Sequence, residues 1–173
     1  MSTHHGRRLL LALVAGCSNG EPARESAQSN SRPEQAFAAE SGNGADRAMA
    51  AIRAADLDSE AAVAALRVVR STEAGTRAAR DFLAADGDGD PLWAATWLYA
   101  SAATDTAPLV PLLKSRDASV RVMAAAALAA LEHQGGVDVL KAERRNAAPL
   151  RGSEPPLTIA AFSELTLERY TGP

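Results

Sequence analysis

The sequence predicts an all-α fold, and three observations predict it. Alanine and leucine dominate, while aromatic residues make up only 4% of the 173, a balance that favours helix over strand. Residues 46–173 hold almost none of the strict alternation that a half-buried strand needs, and apolar side chains recur there at three- and four-residue steps. Leucines then return at a longer interval, at Leu66, Leu98, Leu128 and Leu165, with separations of 32, 30 and 37 residues. A period of that size points to stacked helix pairs. The expected architecture is a short α-solenoid of right-handed type over 46–173, preceded by a signal segment at 1–16 and a disordered tether at 17–45.

The chain opens with Arg7-Arg8, then Leu9-Leu10-Leu11-Ala12-Leu13-Val14, then the small residues Ala15-Gly16 ahead of Cys17. A positive start, a short apolar run and small residues at a processing point are the parts of a secretory signal. The run is too short for a spanning helix, which needs about 20 apolar residues. Leu13-Val14-Ala15-Gly16-Cys17 resembles the lipobox of bacterial lipoproteins. That resemblance implies a diacylglyceryl group on Cys17, cleavage before it, and acylation of the new amino group. Two or three acyl chains hold a protein on a bilayer where one gives only reversible binding. Cys17 is the only cysteine, so no intramolecular disulfide is possible, and acylation removes a thiol that is a liability in an oxidising compartment. Lipoproteins kept in an inner membrane often carry Asp after the cysteine, so Ser18 implies the periplasmic face of the outer membrane. A plain secretory signal with Cys17 incidental, or an N-terminal helix of a cytosolic protein, are the other readings.

From Ser18 to about Ala45 the only large apolar side chain is Phe37, too little to offset the entropy of ordering the backbone. Fully extended, such a tether reaches about 90 Å. Helices follow in order. Asp46 is the expected cap of the first, running to Asp56. Ser59 caps the second, which ends near Arg70 and turns Ala62, Val63, Leu66 and Val69 inward. Ser71 caps a third over 72–85. Asp86-Gly87-Asp88-Gly89-Asp90 breaks the chain, with Asp90 as cap and Pro91 as first residue of a helix to about Ser101. A short helix over 107–113 precedes the strongest segment, 117–133, where Val120, Met123, Ala124, Ala127, Leu128 and Leu131 keep helical spacing. Gly135-Gly136 is expected to end it. A shorter partner over 137–144, an extended loop over 146–156 and a last helix from Pro155-Pro156 to about Tyr170 complete the chain.

Asp117, Val120-Arg121 and the alanines 124–127 ahead of Leu128 resemble the first helix of a HEAT repeat. Ala107-Pro108-Leu109-Val110-Pro111-Leu112-Leu113 is similar to a preceding second helix, and Leu157 to Leu165 resembles a terminal copy. The resemblance implies a curved stack that binds other proteins. No Val-Arg pair stands before Leu98, and the turn at 86–90 is foreign to the pattern. A non-repeating helical bundle is the alternative.

No catalytic constellation stands out. With residues 1–16 removed, His133 is the only histidine, and it is expected at a helix C-terminus, where a cation meets the dipole favourably. Asp86, Asp88 and Asp90 invite a calcium reading, but an EF-hand loop starting at Asp86 needs Gly at its sixth place and Glu at its twelfth. Pro91 and Trp97 stand there, which leaves the three aspartates as weak metal candidates. No cofactor is implied. The 18 basic and 21 acidic residues give a net charge of −3. Residues 1–16 contain Arg7 and Arg8 and no acid, so the remainder has 16 basic against 21 acidic, or −5. Nucleic acid, which wants a basic stripe, is not an expected partner. Lys141, Arg144, Arg145 and Arg151 form a local basic cluster, read either as a solvated face or as a contact for an acidic protein or anionic lipid. Trp93, Trp97, Tyr99, Arg121, Arg144 and Arg145 are the candidate protein-binding residues, the tryptophans being candidates for the core as well.

The function expected is therefore a membrane-anchored module that binds or helps assemble an envelope protein. An immunity-like lipoprotein that blocks a toxin or enzyme is the alternative, and an envelope enzyme with an unrecognised site a third.

Overall fold

Three of the described helices start where a side chain accepts from their free N–H groups. The structure, a computed structural model, describes residues 44–70, 72–85, 87–153 and 155–171. The first helix, α1, covers 44–53, so Asp46 lies inside it rather than capping it, and Asp56 falls in the following turn. Ser59 caps α2 (Glu60–Val69) by accepting from the Ala62 N–H at 3.4 Å. The cap of α3 (Glu73–Leu83) is Thr72, whose Oγ1 accepts from the Gly75 N–H at 2.9 Å; the expected Ser71 lies outside the described residues. α4 (Gly89–Ala100) begins after Asp88, which makes no side-chain cap bond. Asp90 sits in its first turn and is drawn elsewhere. Its carboxylate accepts from the Leu57 N–H at 3.1 Å and from Arg151 at 2.6 Å.

The expected short helix near 107–113 is a turn followed by a 3-10 helix, Pro111–Lys114. Asp117 then caps α5 (Ala118–Ala130), accepting from Ser119 and Val120 N–H at 2.8 and 3.4 Å. α5 stops before the glycines. Glu132 takes a left-handed φ of 62°, the His133 N–H reaches Leu128 O at 2.9 Å and the Glu132 N–H reaches Ala129 O at 3.0 Å. These are the two closing bonds of a Schellman motif, with glutamate where glycine is usual. Gly135 and Gly136 therefore belong to the first turn of α6 (Gln134–Glu143), whose N-cap is His133. Gly136 has a packing reason to be there. A Cβ on it would lie 2.5 Å from Ala125 O and 2.8 Å from both Ala129 N and Leu128 Cβ, so α6 approaches the backbone of α5 closely.

The long loop expected over 146–156 is present, and its described residues double back. Pro149 and Thr158 form an isolated antiparallel bridge, and the Leu150 N–H donates to Leu157 O at 2.8 Å. This delays the last helix, α7, to Ile159–Thr171.

The helices pack in a repeat-like order. α2 meets α4 over a short stretch, α4 lies on α5 and α5 on α7; α3 packs on α4, the 3-10 helix on α5 and α6, and α6 on both α5 and α7. α1 comes against α3, where a Cβ on Gly44 would lie 3.3 Å from Ala74 Cβ. α5 is central because, apart from Ser119 and Arg121, its sides are apolar, the condition for a helix enclosed by others. Val120, Met123, Ala124, Ala127 and Leu128 face one core with Leu66, Leu98 and the tryptophans. Val122, Ala125, Ala126 and Ala129 face a second, with Leu140, Leu150, Ile159 and Phe162. Three of the four repeat leucines, Leu66, Leu98 and Leu128, are buried, but Leu165 is 51% exposed. Phe162 and Leu167 fill the core from α7 instead. Thr96 and Thr166 are buried in helices because each hydroxyl donates to the carbonyl four residues back, at 2.7 Å.

Candidate functional site

The three aromatic candidates of α4 are interior residues. Trp93, Trp97 and Tyr99 are 4%, 5% and 3% exposed, which removes their rings from any binding surface. The tryptophans stack with centroids 5.8 Å apart and planes 14° from parallel. Arg70, at the end of α2, places its guanidinium carbon 4.6 Å from the Trp97 ring centre, a cation–π contact. Gly152, at φ +68°, lies so close to Trp93 that a Cβ would come within 2.5 Å of its ring. The tryptophans thus connect α2, α4 and the loop after α6. Tyr99 donates to Asp105 O at 3.3 Å, and burial, followed by the Asp105 charge, pushes its hydroxyl pKa above the ordinary value.

The arginine candidates divide. Arg121 is a cross-brace: it donates to Glu143 Oε1 from Nε at 3.0 Å and from Nη2 at 2.5 Å, and its Nη1 reaches Ser115 O at 2.7 Å and Arg116 O at 3.1 Å. Burial pushes the Glu143 carboxyl up, but the hydrogen bond from Asn146 and the bonds and charge of Arg121 outweigh it and hold its pKa below the usual value. Arg144 pairs with Glu164 at 3.1 Å on the surface. Arg145 is exposed and forms no ion pair among the described residues.

The turn at 86–90 does not gather a cation site within view. Asp86 lies outside the described residues, Asp88 is exposed, and Asp90 holds Arg151 and the Leu57 N–H. No group of three metal-binding side chains occurs among the described residues. His133 stands just past the C-terminus of α5, as expected, and is at the same time the N-cap of α6; its Nδ1 is buried without a partner among the described residues. Cys17 also lies outside the described residues, as do the rest of 1–43. No described helix is long and apolar enough to cross a membrane. A shallow groove between α3 and the end of α4 is polar, but its groups engage one another: Arg77 holds Glu73 at 2.7 Å, and Tyr99 holds Asp105 O.

Two surface features remain. The first is the outward side of α2. Only Glu60 and Arg67 are charged in its ten residues. Leu66 and Val69 turn to the core, while Ala61, Ala64, Ala65 and Val68 stay exposed, Val68 by 75%. Those four fall at the i, i+3, i+4, i+7 spacing of a single helical stripe. The signal was present in the sequence: a helix apolar on nearly every side needs cover on two faces, and α2 has cover on one.

The second is a set of exposed cations. The contact of Arg121 with Ser115 O, Arg116 O and Glu143 brings the turn before α5 beside the end of α6. Lys114 and Arg116 in that turn and Lys141 and Arg145 at the end of α6 are exposed, and none has an ion pair among the described residues; Lys141 and Arg145, two residues either side of Glu143, turn to the other side of α6. Of the acids nearby, Glu143 pairs with Arg121, Glu164 with Arg144, and Asp117 and Asp90 with Arg151, while Asp138, one turn before Lys141, accepts only from Gln134. Of the basic cluster Lys141, Arg144, Arg145 and Arg151 that the sequence suggests, the fold pairs Arg144 with Glu164 and Arg151 with Asp90 and Asp117.

The chain matches no protein-family model, and no curated protein or solved structure is significantly similar to it. The described residues form an all-α domain with repeat-like packing of helices.

Proposed function

We propose that this is a lipid-anchored module of the bacterial envelope that binds another protein, with the outward stripe of α2 as its docking face. The single observation that carries the binding is Ala61, Ala64, Ala65 and Val68, in line, exposed and covered by no described element. An uncovered apolar face marks a place where a partner packs, and small side chains let a partner helix come near. The layered helix order, with Asp117 capping a helix that carries Val120-Arg121, supports the HEAT-type reading. Arg7-Arg8, the apolar run and Leu13 to Cys17 support the anchor at Cys17, and Ser18 after it supports a periplasmic, outer-membrane address.

Crosslinking and affinity capture of the membrane-extracted protein test the binding. The wild type is expected to recover a specific envelope protein and Val68→Asp to lose it while unfolding at the same temperature. Recovery of nothing specific, or equal recovery by Val68→Asp, overturns the docking face. Metabolic labelling with a lipid precursor tests Cys17 separately, and an unlabelled wild-type protein overturns the anchor.

A further inference from the structure

We propose that the partner seated on the outward stripe of α2 is a second copy of this chain, paired antiparallel about a two-fold axis beside Ala64 and Ala65. The proposal rests on the docking-face reading and names the occupant of that face. Shape, charge and size support it.

The stripe complements itself when reversed. With the two-fold at the level between Ala64 and Ala65, each of these alanines stands opposite its own copy, and Val68, 75% exposed, stands opposite Ala61 of the second copy. A large side chain thus meets a small one at each end. In the middle small meets small, which lets the two helix axes approach to about 8 Å.

The flanking charges complement one another as well. Glu60 and Arg67 are the only charged residues of α2, both are exposed, and their seven-residue spacing puts them on the same side of the stripe. Like sides meet in an antiparallel pair, so Glu60 faces Arg67 of the second copy, offset by about 3 Å along the helix axis. Symmetry repeats the pair. Arg67 already has an interaction within its own chain, and the five donors of a guanidinium leave room for a carboxylate beside it. A parallel pair would set each charge against the opposite side of its neighbour, where α2 carries none.

The size of the face suits a membrane setting. α2 has ten residues, about 15 Å of helix, and one such face buries far less than the about 1,200 Å² at which stable interfaces begin. Chains tied to one bilayer meet at a high effective concentration, which so small a contact needs. A two-fold normal to the bilayer leaves both copies anchored on the same side.

Disulfide crosslinking on vesicles tests the pairing independently of the anchor. The probe is the full chain carrying Cys17→Ser, which has no other cysteine. A polyhistidine tag at its N-terminus and a nickel-chelating lipid hold it at high density on phosphatidylcholine vesicles. Oxidation is expected to crosslink Ala64→Cys to itself, and Ala61→Cys to Val68→Cys when those two variants are mixed. Ala61→Cys alone is expected to give at least about tenfold less dimer, because its two copies stand about 10 Å apart along the axis, beyond disulfide reach. Adding Val68→Asp to Ala64→Cys should abolish the crosslink without moving the melting temperature, and adding Glu60→Lys should weaken the dimer about fivefold at low salt. No crosslink in Ala64→Cys, or an equal one in Ala61→Cys alone, overturns the proposal. So do Ala64→Cys crosslinks that appear only once residues 18–43 are deleted, which give the face to that segment. Capture of a different envelope protein that is lost in Val68→Asp, with no crosslinks between copies, overturns the second copy and leaves the docking face standing. Val68→Asp without effect in either experiment overturns both.

Discussion

Replacing Gly136 by alanine is expected to separate α5 from α6, and replacing Gly135 is not. The two glycines are neighbours in the first turn of α6, and alanine at either helical position gains up to about 1 kcal/mol in backbone propensity. At Gly136 that gain is overwhelmed. The new methyl would lie 2.5 Å from Ala125 O and 2.8 Å from Ala129 N, and both are backbone atoms of a helix enclosed on all sides, so α6 has to back away. Overpacking of this kind costs about 1–3 kcal/mol before any void opened along the rest of the seam, and the retreat also loosens Leu140, which is fully buried. At Gly135 the nearest atoms are His133 Cε1 at 3.1 Å, His133 Nδ1 at 3.2 Å and Leu113 Cδ1 at 3.3 Å. These are side-chain atoms that shift by a few tenths of an ångström. Urea unfolding followed by far-UV circular dichroism is expected to place Gly136→Ala about 1–3 kcal/mol below wild type and Gly135→Ala within about 0.5 kcal/mol of it. A Gly136→Ala variant as stable as wild type, or equal losses in the two, would refute the close approach of α5 and α6.

Three further outcomes are expected. Arg121→Ala leaves Glu143 without its main cation and should cost about 1–3 kcal/mol. Because the folded pKa of Glu143 is depressed, the wild type holds this contribution above the unfolded value and loses it as pH falls through the folded one; Glu143→Gln should flatten the acid limb of a plot of urea midpoint against pH. Thr72→Ala should cost about 1 kcal/mol and Ser59→Ala less, since their cap bonds are 2.9 and 3.4 Å long; equal losses in thermal melts would contradict that ranking. Tyr99 has a raised folded pKa, so its contribution is complete below pH 10 and declines as pH rises through the folded value. Tyr99→Phe should be less sensitive to alkali than wild type in the same unfolding assay.

Much of the helix order was legible because it depends on local chemistry. Ser59 and Asp117 announce their helices by the side chains they offer, and α5 shows through because its spacing fits nothing but a helix. The errors arise where local signals meet tertiary demands. Gly135-Gly136 has the look of a stop, yet Glu132 accepts the left-handed turn and leaves the glycines free for close packing. Asp90 has the look of a cap, but its partners stand 33 and 61 residues away. Leu165 keeps the long-range period in sequence, but the fold-back at 146–158 alters the approach of α7 and Phe162 and Leu167 take the core. The same limit applies to the candidate surfaces. Spacing suggests that α4 carries large side chains at useful positions but not which way its rings turn, whereas the second stripe of α2 could be read from residue type alone.

Arg151 has a consequence for how the domain comes apart. In a stack coupled only between neighbours, the end units can fray while the middle persists. Here a residue from the loop after α6 clasps Asp90 at the head of α4 and Asp117 at the head of α5, while its own N–H donates to Ser119 at 3.0 Å. Unzipping α7 together with that loop would slacken the starts of two earlier helices in the same event. The expected melting is accordingly a single sharp transition rather than a staircase, with the C-terminal loop serving as the fastening that makes separate units behave as one body.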